Sequence, residues 1–405
     1  MISEGRIKKK VLVSMLSVAL LQSIFVKFIP LLMLEMGYDY TTFNLVKSSE
    51  YIPLIFFSLF AGVLVDTQSQ KNITILSISL MILGTLIGYI AYTSVDESGH
   101  LFMLAMISIA SGLSLYYLHI FKIVKNNINE QELSSFHSIL TSSTYMVSML
   151  GPIISGVLIS NGQIDLAFLT FLIFCVTSLL LLNGLCEGEQ KYESEGEKQG
   201  FYSDFIDGVK CFKKNKSIVN LTVLVMFTNA VDAVCDANYY FIAKDYFDMS
   251  ADKIGFLFSF SAVMAIVGSA LSYKIFNKLS FENAAQALLM LNVFGYVLVY
   301  IYRSEVSLLI VIAIESATTA AFVVGVRTER LKLSPTEHVG RIAAISGASF
   351  KILMPVSLYF HSAYISKDNL FLVFSIVAVI TLVALVIYTM VNRSYVQEER
   401  QETRQ

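Results

Sequence analysis

Five ionisable side chains stand inside long apolar runs: Lys27, Asp232, Asp236, Glu315 and Lys351. Placing such a group at the centre of a membrane helix costs roughly 2.5–3.5 kcal/mol, so each needs a partner or a wet cavity. Asp232 and Asp236 are spaced i, i+4, which puts both on one face of a helix. Carboxyl groups sharing a small volume of low dielectric cannot all ionise, and that is the chemistry of a reversible proton site. Asp232, Asp236 and Glu315 are therefore candidate proton-binding residues. Lys27 and Lys351 are candidates to contact an anionic ligand or to neutralise a carboxylate. Gln22 and Asn229, on the same runs as Lys27 and Asp232, can hydrogen-bond a ligand or link helices. A structural ion pair of Lys27 with Asp232 or Asp236 stands as the alternative. For Glu315 the sequence offers only Lys351 as a counter-ion.

Other chemistries lack their patterns. There is no G-x-x-x-x-G-K-[ST] phosphate loop, which excludes ATP as the energy source, and no nucleophile constellation. Cys175, Cys186, Cys211 and Cys235 have no metal-ligand spacing. No enzyme, metal site or cofactor is expected. No basic stripe points to nucleic acid. His119, near the end of an apolar run, reads as an interfacial residue.

The elements that must position these groups follow from composition. The 405 residues are 55% hydrophobic and only 15% charged. The mean hydropathy is +0.66. A soluble chain carries about 25% charged residues, so lipid must replace water over much of this surface. Runs of about 20 apolar residues read as membrane spans. They fall near 11–34, 45–65, 73–94, 101–123, 138–160, 165–186, 218–242, 253–275, 283–302, 305–325, 343–364 and 369–391. The first is basic-flanked but has no cleavage signal, and reads as a retained helix. The polar stretch 187–217 divides the chain into six-helix bundles at 1–186 and 218–405. Most lysines and arginines fall on one side if both termini are cytoplasmic. Lys47, Lys244, Lys253, Arg303 and Lys367 are the outside exceptions. An inner-membrane, multi-pass, all-α protein with the linker inside is expected. Phe201–Lys216 reads as an amphipathic helix on the inner leaflet.

Two motifs carry a family resemblance. After the second span comes GVLVDTQSQK, in which Gly62, Leu64, Asp66 and Lys71 fit the pattern G-x-L-x-D-R-x-G-R-K. This resembles the loop signature of the major facilitator superfamily. Thr67, Ser69 and Gln70 depart from it. The fifth span holds SMLGPIISG, with Gly151, Pro152, Ser155 and Gly156. It resembles the G-P-x-x-G-G element of that superfamily's exporters. A proline removes a backbone donor and a glycine removes bulk, so the helix can kink and pack closely. The segment Lys125–Ile139 resembles the loop between the fourth and fifth spans in the branch of macrolide and enterobactin exporters. Pro355 in the eleventh span echoes Pro152 in the fifth, as two parallel repeats would leave.

The resemblance implies twelve helices in two pseudo-symmetric bundles. It implies gating roles for Gly62, Asp66, Lys71, Gly151, Pro152 and Gly156, with Asp66 meeting the eleventh helix near Gly340 and Arg341. It brings the first and seventh spans together beside a central cavity. The expectation is a proton-coupled secondary exporter of a small organic solute, working as a single chain by alternating access. Two interior lysines lean toward an anionic, siderophore-type substrate. A drug or macrolide pump, a metabolite importer and a non-transporting membrane sensor are the alternatives.

Overall fold

The computed structural model describes residues 4–57, 69–94, 98–128, 130–183, 201–335 and 339–402. Among them the helices are α1 (Glu4–Glu35), α2 (Tyr40–Ser49), α3 (Gln70–Thr93), α4 (Gly99–Asn127), α5 (Glu130–Ser160), α6 (Ile164–Asn183) and α7 (Phe201–Lys214). Then follow α8 (Lys216–Phe241), α9 (Ala251–Lys278), α10 (Phe281–Tyr302), α11 (Glu305–Leu333), α12 (Val339–Tyr364) and α13 (Leu372–Glu402). A π-helical turn, Ile242–Tyr246, continues α8.

Polarity is distributed as in a membrane protein. Leu180, Ile301, Val306 and Met390 are each more than 60% exposed, while Ser14, Ser155, Asn238 and Ser346 are at 0%. Water would not tolerate that many bare aliphatic side chains, whereas lipid favours them. Among the described residues, ten helices are long and apolar enough to cross a membrane, and Met146–Ser160 forms a shorter apolar stretch.

Two readings of the sequence need correction. The span expected at 45–65 starts earlier, as α2 from Tyr40, and is broken by a turn at Glu50 before helix resumes over 51–57. Asp39 caps α2 by accepting from the Thr42 amide at 2.8 Å, and so moves the start forward. Lys125–Ile139, read as a loop, is mostly the end of α4 and the start of α5. Lys47 is 1% exposed on α2. Gly62 and Asp66 lie outside the described residues; Lys71 is exposed on the first turn of α3.

The chain forms two compact units, Met1–Glu197 with Met249–Ser259, and Lys198–Asp248 with Phe260–Gln405. In the first, Ser23 donates to the Ser148 carbonyl at 2.7 Å and Ser155 to the Ile24 carbonyl at 2.9 Å. These bonds lock α1 to α5. A methyl at Gly151 would lie 1.9 Å from the Ser23 hydroxyl, so only glycine permits that crossing. One turn on, a methyl at Gly156 would lie 2.4 Å from the Ala251 carbonyl oxygen. One at Gly255 would lie 2.4 Å from that of Pro152. Ser160 and Asp252 close the junction, the Asp252 amide donating to the Ser160 hydroxyl at 2.9 Å.

In the second unit, three asparagines hold α8 in place. Asn220 and Asn238 donate to the carbonyls of Tyr388 and Leu370, at 3.0 and 2.9 Å. Asn229, nine residues from each and so on the opposite side of the helix, donates to the Phe350 carbonyl of α12 at 2.9 Å. Between them the apolar core packs Leu221, Leu224, Phe281, Leu288, Phe322 and Leu385.

Candidate functional site

The carboxyl cluster lies on α8 and α11 of the second unit. Asp232 is 16 residues into α8 and Glu315 is 18 residues from the end of α11. At 1.5 Å per residue both lie roughly 24–27 Å from the same end of the helix pair. Asn215 joins that end, its amide donating to the Leu333 carbonyl at 2.9 Å. The antiparallel pairing therefore brings the two acids to one level.

Glu315 is 7% exposed. Tyr239 donates its hydroxyl to Oε2 of Glu315, and Tyr296 donates to Oε1 at 3.1 Å. Asp232 is a hydrogen-bonding neighbour of Glu315 and of Thr319. Asp236 adds a third carboxyl within electrostatic reach of both. Cys235, fully buried, touches Glu315 and Tyr296. Thr318 donates to the Asn292 side chain and so ties α11 to α10 beside the cluster.

Tyr239, Tyr296, Cys235 and Thr319 did not figure among the sequence candidates. A signal for two of them was present: Asp232, Cys235, Asp236 and Tyr239 stand at i, i+3, i+4 and i+7, one stripe of α8. Tyr296 and Thr319 come from other helices and left no such trace. The partner expected for Glu315 also changes. Its contacts are tyrosines and a carboxyl, while Lys351, half-buried on α12, makes no ion pair among the described residues. The face of α12 beside Lys351 is open, because a methyl at Gly347, one turn earlier, would meet nothing within 4 Å.

The remaining candidates make contacts of their own. Lys27, in the first unit, is half-buried with its Nζ 4.2 Å from the Phe258 ring centre, a cation–π contact. Gln22 accepts from the Tyr117 hydroxyl at 2.7 Å, and Asn229 serves the helix link described above. His119 is fully buried, its Nε2 2.6 Å from the Thr74 hydroxyl. A cavity of 720 Å³ in the second unit is lined by Val231, Val234, Val356, Phe360, His361 and Ile376 among others. Val356, Phe360 and Ile376 are 44–56% exposed, so it opens among outward-facing apolar side chains and is separate from the acids.

No three His, Cys, Asp or Glu residues among those described are placed to hold a metal ion. Three carboxyl groups so close together cannot all carry charge at little cost, and the two phenols donate to the one on Glu315.

A family model described as the Major Facilitator Superfamily matches residues 11–324. The chain belongs to that superfamily. Solved superfamily-like folds agree over almost the whole chain. A bacterial homologue of the iron transporter ferroportin, in its inward-facing state, superposes with a TM-score of 0.77 at 14% identity, over 96% of this chain and 99% of that one. The nucleoside transporter NupG gives 0.72 at 12%, over 95% and 99%. A POT family transporter bound to a thioalcohol-conjugated peptide gives 0.70 at 13%, over 96% of both. At these identities the likeness is one of fold. No curated protein sequence matches the chain. As a superfamily member the protein is a multi-pass membrane transporter and not an enzyme. Within the superfamily fold, the acid cluster occupies the interior of the second unit.

Proposed function

We propose that the protein is a proton-coupled exporter of a small anionic organic solute, working by alternating access. It spans the inner membrane twelve times, in six-helix bundles at 1–186 and 218–405, with both termini cytoplasmic and a single chain as the functional unit. The observation that carries the proton coupling is the pairing of Asp232 with Glu315, whose carboxyl also accepts from two tyrosine hydroxyls. Two carboxyl groups in hydrogen-bonding contact need a proton between them, and in this reading the third acid, Asp236, exchanges it. Lys351, beside an open helix face, and Lys27, half-buried on α1, favour an anionic substrate over a cationic drug. The direction of transport rests on the Gly151-Pro152 element, and a siderophore-type solute fits the resemblance of Lys125–Ile139 to the branch of macrolide and enterobactin exporters.

Inverted vesicles carrying the protein, energised with an acidic lumen, should accumulate a catecholate siderophore. Glu315→Gln vesicles should lose accumulation but keep downhill exchange. Undiminished proton-driven accumulation by Glu315→Gln would remove the coupling role. Accumulation of a macrolide in place of the siderophore would replace the substrate.

A further inference from the structure

We infer that α7 carries a binding site for the headgroups of anionic phospholipids. The helix has two opposed faces. Gly208 presses one of them onto the start of α12: a methyl there would lie 3.1 Å from the Arg341 side chain and 3.2 Å from Ile345. At 100° per residue, Lys210, Lys213 and Lys214 fall in an arc of about 100° centred nearly opposite Gly208. All three are exposed, Lys210 with 73% of its side chain accessible. The acid described beside them is Asp207, 3.1 Å from Lys210, so the face keeps an excess of positive charge.

The position of the helix supplies the second argument. Asn215, immediately after α7, caps α8 by accepting from the Ile218 amide at 3.1 Å and donates to the last carbonyl of α11. Both α8 and α11 are membrane-spanning in length and composition. The C-terminal end of α7 is thus pinned beside the start of one span and the end of another, toward the membrane surface and away from the hydrocarbon centre. A protein face would have to match the shape of a mobile lysine fringe. A lipid surface needs only to match its sign, and each lysine near an anionic surface strengthens binding about fivefold. With one side seated on α12, α7 cannot turn its lysines inward.

The chain contains no tryptophan, so Ile206→Trp, on the lysine side of α7, provides a lone fluorophore. The full-length protein would be placed in nanodiscs of phosphatidylcholine containing brominated phosphatidylglycerol or, separately, brominated phosphatidylcholine. Quenching should show at least a tenfold preference for phosphatidylglycerol at low salt. The preference should vanish when Lys210, Lys213 and Lys214 are all changed to Gln, and persist when all three become Arg. Should the Gln variant not fold, a salt titration of the lysine protein decides, since screening at 1 M must abolish the preference. Equal quenching by the two lipids overturns the site, as does a preference that survives the Gln changes or high salt.

Discussion

Tyr239 donates its hydroxyl to Glu315 across 76 residues of chain, joining the stripe of acids on α8 to the acid on α11. Tyr296 reaches the other oxygen of the same carboxyl from α10. Three helices thus converge on one ionisable group. Each phenol lost leaves a buried acceptor less satisfied, and a buried group without its partner costs about 1–3 kcal/mol.

Tyr239→Phe and Tyr296→Phe should therefore each lower the unfolding free energy in detergent by about 1–3 kcal/mol. The two changes share an acceptor and should not be additive. A denaturant series on both single variants and the double checks this. Strict additivity would mean the hydroxyls act on Glu315 independently.

Coupling should be separable from binding. Asp232→Asn and Glu315→Gln keep the hydrogen-bonding shape but remove a titrating group. In each, transport rate should become nearly independent of pH while substrate binding persists. Uptake assays in proteoliposomes across a pH series, paired with equilibrium binding, read both quantities. A variant with the unaltered pH profile would clear that residue of the role.

Glycines in the first unit should be far less replaceable than one in the second. A methyl at Gly156 would sit 2.4 Å from the Ala251 carbonyl oxygen, whereas one at Gly347 meets nothing within 4 Å. Gly156→Ala should destabilise the protein by about 1–3 kcal/mol through overpacking. Gly347→Ala should be neutral or slightly stabilising, since alanine is favoured in a helix by up to about 1 kcal/mol. Thermal melting of the two variants side by side provides the comparison.

Asn215→Ala removes a cap from α8 and the link to Leu333 together. Loss of a cap alone costs about 1 kcal/mol. Amide hydrogen exchange should rise in the first turn of α8 and the last turn of α11, and stay unchanged around Glu315. Faster exchange spread evenly over both helices would contradict a local role for Asn215.

Much of the fold was legible because lipid imposes one rule on every span: backbone groups must bond within the helix and side chains must be apolar. That rule wrote itself into runs such as Ile164–Leu182 and Leu372–Asn392, which match the helices found. The candidate site was half legible. Asp232, Asp236 and Glu315 declared themselves by their cost in an apolar run, and Tyr239 shares the α8 stripe of the first two. The burial of Lys47 was not legible, because a lysine near the start of the run 45–65 carries no mark of the packing around it.

By itself the sequence determined that this chain lives in a membrane, which residues are too polar for it, and which family its motifs resemble. Only the tertiary structure decided their partners: Glu315 with Tyr239, Tyr296 and Asp232, Gly156 with Ala251, Asn229 with Phe350. The physical reason is range. Hydropathy and helical period act within about 20 residues, so they are local in the chain. A hydrogen bond acts over about 3 Å, and which groups come that close depends on how separate helices cross.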